Sequence, residues 1–130
     1  MNLKQKTAEI LTQTLTELYS ISPERLEIQN TRKEFEGQYT LVTFPLIKEL
    51  KKKPEDLGEE IGNHLFSKNL ISGFNVVKGF LNLSFPSEFW MGNLTENATD
   101  KEFGFVQKHP EAQSVMVEYS SPNTNKPIHL

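Results

Sequence analysis

The sequence predicts an α+β domain, a small antiparallel sheet with helices packed on one face, followed by a truncated first strand of a second unit. Three observations carry that prediction. Apolar residues recur at helical spacing over residues 2–19 and again over about 54–68. Two segments, 39–44 and 74–85, alternate apolar with polar side chains, and the second folds back on Lys78-Gly79. Near the end, Val115, Val117 and Tyr119 alternate once more and pass into Ser-Ser-Pro-Asn, a strand leading into a polar loop.

The first helix places Leu3, Ile10, Leu11, Leu15 and Leu18 on one stripe, with Asn2 as cap and Gln5 three residues on. Ser20 to Pro23 ends it, and Ser22-Pro23 suits a short second turn. Leu26 and Ile28 allow a brief strand. Phe35 to Gln38 reads as a turn before the strand Tyr39–Phe44, whose ladder Pro45 stops because it has no amide hydrogen. Leu46, Ile47 and Leu50 suggest a short helix, and Pro54 opens the next one. That helix presents Leu57, Ile61 and Leu65 on one ridge and Gly58 and Gly62 on another. Glycine inside a helix costs about 1 kcal/mol relative to alanine, so the pair implies close approach to a sheet. Lys78-Gly79 makes a tight hairpin turn. In its second arm Leu81, Leu83 and Phe85 face the core, leaving Phe80, Asn82 and Ser84 opposite. A weakly patterned helix follows from Ser87 to about Leu94, then a polar, turn-rich connector.

Composition narrows the function. The chain has 130 residues, 36% apolar and 24% charged, ordinary for a globular domain. It contains no cysteine, which excludes disulfide scaffolds and thiolate zinc sites. Neither a secretion signal nor a long apolar run is present, so a cytoplasmic protein without membrane contact is expected, and the sequons at Asn82 and Asn93 are chance matches. A net charge of -3 restricts any nucleic-acid contact to a local basic patch. The run Lys48, Lys51, Lys52 and Lys53 is diluted by Glu49, Glu55 and Asp56 and reads as a solvated helix end. His64 reads as a surface or satisfied histidine.

Phe80 and Asn82 lie two apart on one strand face and so meet the same partner. An aromatic ring stacks on an unpaired base, and an amide both donates to and accepts from a base edge. The alternative is that Phe80 packs under the loop at 95–105 and Asn82 is merely solvated.

The closing stretch Val-Glu-Tyr-Ser-Ser-Pro-Asn-Thr-Asn-Lys-Pro-Ile-His-Leu, residues 117–130, resembles the entry to the catalytic domain of arginyl-tRNA synthetases, which are class I aminoacyl-tRNA synthetases. The family pattern runs Val-Glu-[Tyr/Phe]-Ser-Ser-Pro-Asn-x-x-Lys-Pro-x-His-x-Gly-His, and every fixed position through His129 is matched. Most of residues 1–111 also resembles the family's appended N-terminal domain. The resemblance implies three regions: 1–96 as a tRNA D-loop-recognition domain, 97–112 as connector, and 113–130 as the truncated start of a Rossmann-like catalytic domain.

It further implies an ATP-dependent, AMP-forming ligase that activates L-arginine and transfers it to tRNA(Arg). No cofactor is tightly bound; ATP with Mg2+ is a substrate, no metal site is implied, and a monomer is expected. The class I signature region comprises Pro122, Asn123, Thr124, Asn125, Lys126, Pro127, Ile128, His129 and Leu130. Within it, His129 and Lys126 take catalytic roles on the ATP phosphates, while Ser121 and Asn123 bind arginine. In the N-terminal domain the family's Gly-Phe-x-[Asn/Gln] segment corresponds to Gly79-Phe80-Leu81-Asn82, giving Phe80 and Asn82 to tRNA, with Tyr39 a lesser candidate. Two departures stand out. Gly37-Gln38-Tyr39 lacks the family's acid, and Val42 stands where many members have Asn. The fragment, cut inside the signature, is expected to be inactive by itself. A non-catalytic module that packs on its own core or on another protein is the competing reading.

Overall fold

The computed structural model describes residues 2–119 and 125. Helix α1 spans Leu3–Tyr19 and begins as the sequence predicts. Asn2 Oδ1 accepts from the Gln5 amide at 2.8 Å, and Gln5 Oε1 accepts from the Asn2 amide at 3.1 Å, a complete capping box. Leu11 and Leu15 are wholly buried, and the buried Thr7 and Thr14 hydroxyls donate back to Leu3 O and Ile10 O. Ser20, at φ 55°, closes the helix. The turn expected at Ser22-Pro23 does not form; residues 21–27 run without a helical turn into strand β1, Ile28–Asn30.

Strand β2, Tyr39–Val42, is shorter than predicted. Thr43 leaves the ladder because its amide and hydroxyl both donate to Gly79 O, at 3.1 and 2.7 Å. Phe44 then opens helix α2, Phe44–Leu50, with Pro45 in its first turn. Helix α3 covers Pro54–Ser67, and strands β3, Gly73–Val77, and β4, Phe80–Ser84, form the expected hairpin. The sheet order is β1-β2-β4-β3, antiparallel throughout.

Register divides the sheet cleanly. Leu41 pairs with Leu81 and with Ile28, and Val76 also pairs with Leu81, so these side chains share one face with Leu83 and Phe74. Against that face α3 buries Leu57, Ile61 and Leu65 completely, each worth roughly 1.5–3 kcal/mol. The glycine ridge explains how close the helix comes. A Cβ on Gly58 would lie 2.9 Å from Val76 Cγ1, and one on Gly62 only 2.3 Å from Phe74 Cδ2.

Helix α4 runs Ser87–Thr99, beyond the predicted end near Leu94, so the expected connector starts inside it. Phe85 stacks on Phe89 with ring centroids 4.2 Å apart, Phe89 meets Trp90 edge-on, and Lys6 of α1 pairs with Glu96. These contacts carry the helix past its weak apolar pattern. The strand expected over Val115 to Tyr119 is absent. Residues 112–119 are exposed and pair with no other strand, and an isolated strand has no ladder to hold it.

Candidate nucleic-acid interface

The face of the sheet turned away from the helices carries Gln29, Thr40, Val42, Asn75, Val77, Phe80 and Asn82 by register. It is not bare. The β1–β2 loop, residues 31–38, folds across its middle, close enough that a Cβ on Gly37 would lie 3.3 Å from Asn82 Cβ and 3.1 Å from Leu83 O. Gly37 holds φ 133°, a conformation open to glycine, which is why the loop can lie so flat.

A chain of hydrogen bonds seats the loop. Thr31 Oγ1 lies 2.9 Å from Thr40 Oγ1, Thr40 donates to Asn82 Oδ1 at 2.6 Å, and Asn82 Nδ2 donates to Asn75 Oδ1 at 2.7 Å. Asn75 Nδ2 then donates to Glu36 O at 2.8 Å. Because the single Thr40 proton goes to Asn82, the Thr31 hydroxyl must be the donor to Thr40. All the donors therefore point one way, from loop through sheet and back to loop.

Between this loop and the hairpin turn lies a hollow of about 200 Å³. Thr40, Phe80 and Asn82 line it from the sheet, Arg32 and Phe35 from the loop, and Lys78 from the turn. Phe80 is half-buried, held edge-on against Phe44 with centroids 5.7 Å apart. An aromatic ring, a largely apolar lining over the engaged Thr40 and Asn82, and two cations thus border a space suited to a single planar heterocycle.

The sequence-predicted residues separate into three groups. Phe80 and Asn82 share the hollow as expected, although Phe80 packs against Phe44 rather than under the loop at 95–105. Asn82 needs a correction. It is only 2% exposed, with its carbonyl oxygen engaged by Thr40 and one amide hydrogen by Asn75, so it does not present a free amide. Burying an amide without partners costs on the order of 1–3 kcal/mol, and the covering loop supplies the enclosure that the sequence hid. Tyr39 pairs with Leu83 on the opposite face and meets Phe85 edge-on at 6.2 Å, so it packs the core side and does not reach the hollow. Ser121, Asn123, Lys126 and His129, with the rest of the signature except Asn125, lie outside the described residues.

Sequence reasoning missed Arg32, Phe35 and Lys78. Only their places flanking a turn and on a hairpin tip signalled them, and neither position reveals that the loop folds over the sheet.

Charge clusters elsewhere serve the scaffold. Glu17 receives Lys68 and, at 2.9 Å, His64, and these contacts, Lys68 foremost, hold its carboxyl down to about 2. Partial burial, followed by the hydrogen bond to Glu60, raises Tyr19, while Lys52 and then Tyr19 lower Glu60. Both clusters tie helices together on the far side of the sheet from the hollow. His64 is thereby a satisfied surface histidine, as the sequence suggested. Among the described residues no helix is long and apolar enough to cross a membrane, and no group of three or more His, Asp or Glu could hold a metal.

Four antiparallel strands backed by helices, with a loop-roofed hollow on the other face, define a small α+β domain. Residues 5–85 match the family described as arginyl tRNA synthetase N terminal domain, and the chain belongs to that family. It is similar to the arginine–tRNA ligase of Bacteroides fragilis, 44% identical over 133 aligned positions, covering 100% of this chain and 22% of that protein. The arginine–tRNA ligase of Flavobacterium psychrophilum is 39% identical over 141 positions, with 100% and 24% covered. The chain therefore spans less than a quarter of the length of these relatives. Among solved structures, Thermus thermophilus arginyl-tRNA synthetase superposes with a TM-score of 0.58 at 27% identity, over 77% of this chain and 16% of that one.

Proposed function

We propose that this chain is the N-terminal part of an arginine–tRNA ligase, and that the hollow around Phe80 receives a base from the D-loop of tRNA(Arg). The observation that carries the tRNA contact is the half-buried ring of Phe80, fixed by Phe44 at the edge of the hollow. A ring so held stacks on an unpaired base without first losing rotamer freedom, and such stacking contributes about 1–3 kcal/mol per base. Asn82 belongs to the site as the buried floor that holds the covering loop. Tyr39 has no part in binding.

In the full-length enzyme, Ser121 and Asn123 hold the amino group and carboxylate of L-arginine. Lys126 and His129 stabilise the phosphates of ATP, supplied with Mg2+, as the arginyl adenylate forms. Charge on those phosphates grows towards the transition state, so each such group supplies rate by electrostatic stabilisation, typically 10²–10³-fold. This chain corresponds to less than a quarter of such an enzyme and by itself forms no adenylate. A monomeric cytoplasmic enzyme fits this reading.

The test is Phe80→Leu in the full-length protein, which keeps apolar bulk against Phe44 and loses the flat face. Arginine-dependent pyrophosphate exchange should be unchanged, while the KM for tRNA rises about 5- to 150-fold, the equivalent of about 1–3 kcal/mol. Normal charging at every tRNA concentration would refute the D-loop contact and favour a module that packs against protein.

A further inference from the structure

We propose that Arg32 and Lys78, on opposite rims of the hollow, hold the two phosphates that flank the nucleotide whose base stacks on Phe80, with Phe35 closing the other side of that base. The proposal rests on the reading of the hollow as a nucleotide site and adds the groups that grip the backbone there.

Three observations carry it. Arg32 lies on the covering loop and Lys78 on the β3–β4 turn, and both line the same hollow as Phe80 and Phe35. Both cations are exposed, and among the described residues neither takes part in an ion pair or a side-chain hydrogen bond. Glu34 and Glu36 share the loop but do not line the hollow, so no carboxylate faces the space between the two cations. The third observation is backbone geometry. Lys78 and Gly79 sit at φ 48° and 81°, the positive values that a two-residue type I′ turn requires at both places. Asparagine, aspartate or glycine suits the first of these; lysine there is held in the left-handed region against its preference. The turn fixes Lys78 at the tip beside the hollow, and asparagine in its place would keep the turn while removing the cation.

A base in the hollow brings its own 5′ and 3′ phosphates to the rims, where an exposed guanidinium and an exposed ammonium can each neutralise one of them. The acidic net charge of -3 is no obstacle, because both contacts are local to one face of the sheet.

The experiment measures binding of an unmodified tRNA(Arg) transcript to the full-length protein across about 50–200 mM KCl, for Arg32→Gln, Lys78→Asn and Phe80→Leu. Each charge variant should reduce the slope of log affinity against log salt by about 0.7, the value for one single-strand phosphate, and weaken binding about fivefold near 0.1 M. Lys78→Asn should do so while its unfolding temperature holds or rises, since asparagine relaxes the turn. That opposition of signs separates a phosphate contact from a structural role. Unchanged slopes in both charge variants, with Phe80→Leu still weakening binding at constant slope, would overturn the clamp and leave the nucleotide site standing. Phe80→Leu without effect would remove the site itself.

Discussion

Asn82→Ala provides the sharpest test of how the candidate site is built. The substitution deletes an amide that is 2% exposed and that joins Thr40, itself 3% exposed, to Asn75. The Thr40 hydroxyl loses its acceptor at 2.6 Å and keeps only Thr31 at 2.9 Å, and the Asn75 carbonyl oxygen loses a donor at 2.7 Å. A buried polar group left short of a partner costs about 1–3 kcal/mol; the half-exposed Asn75 can recruit water and falls at the lower end. The sum is about 2–4 kcal/mol, a fall of roughly 10 °C in Tm for a chain of this size. Urea unfolding followed by the fluorescence of the single tryptophan, Trp90 on α4, measures it directly. Thr40→Val and the double variant complete a cycle whose coupling should exceed about 1 kcal/mol, because both deletions break the same bond. Stability within about 0.5 kcal/mol of the parent, or additivity within about 0.3 kcal/mol, would refute the idea that the chain from Thr31 to Glu36 holds the loop. The functional corollary is that Asn82→Ala loses stability and tRNA affinity together, whereas Phe80→Leu loses affinity alone.

Helical glycines give a paired contrast. Gly62→Ala should destabilise by about 1–3 kcal/mol, since its Cβ would lie 2.3 Å from Phe74 Cδ2, whereas Gly92→Ala on α4, with nothing within 4 Å, should stabilise by about 1 kcal/mol. Chemical denaturation of both variants checks the signs. For pH, Glu17 is a carboxylate whose folded-state pKa of about 2 lies below its ordinary value of 4.5, so its contribution is complete above that ordinary value and drains away as pH falls towards 2. Carboxyl NMR titration should place Glu17 below the other glutamates, and Lys68→Met should bring it back towards the ordinary value.

Most of the fold was legible because local signals agreed with one another. The Asn2–Gln5 capping box, the Lys78-Gly79 turn and the Leu57, Ile61, Leu65 ridge each required only neighbouring residues to be read. The Gly58 and Gly62 pair even disclosed a tertiary contact, because the unfavourable residue in a helix has to be offset by proximity to something. Where the reading fell short, distant partners decided. Helix α4 gains its last turns from the Phe85–Phe89 stack and the Lys6–Glu96 pair, β2 loses its end to Gly79 O, and residues 115–119 find no partner strand. The site followed the same division. Alternation alone put Phe80 and Asn82 on one face, but nothing local announced that residues 31–38 would roof it. Asn82 was therefore read as a free amide when it is a buried strut, and Arg32, Phe35 and Lys78 went unnoticed.

The two borders of the hollow are secured by different physics. The hairpin tip beside Lys78 is wedged in place, for a Cβ on Gly79 would already be 2.8 Å from Phe44 Cζ and 3.0 Å from Pro54 Cβ. The border carrying Arg32 and Phe35 hangs on polar contacts that water competes for. A nucleotide entering as proposed would meet an anvil on one side and a hinged jaw on the other, and any adjustment to its shape would fall on residues 31–38. Amide hydrogen exchange should record that division, slow along β4 and faster through the jaw, with the jaw slowing once tRNA is bound.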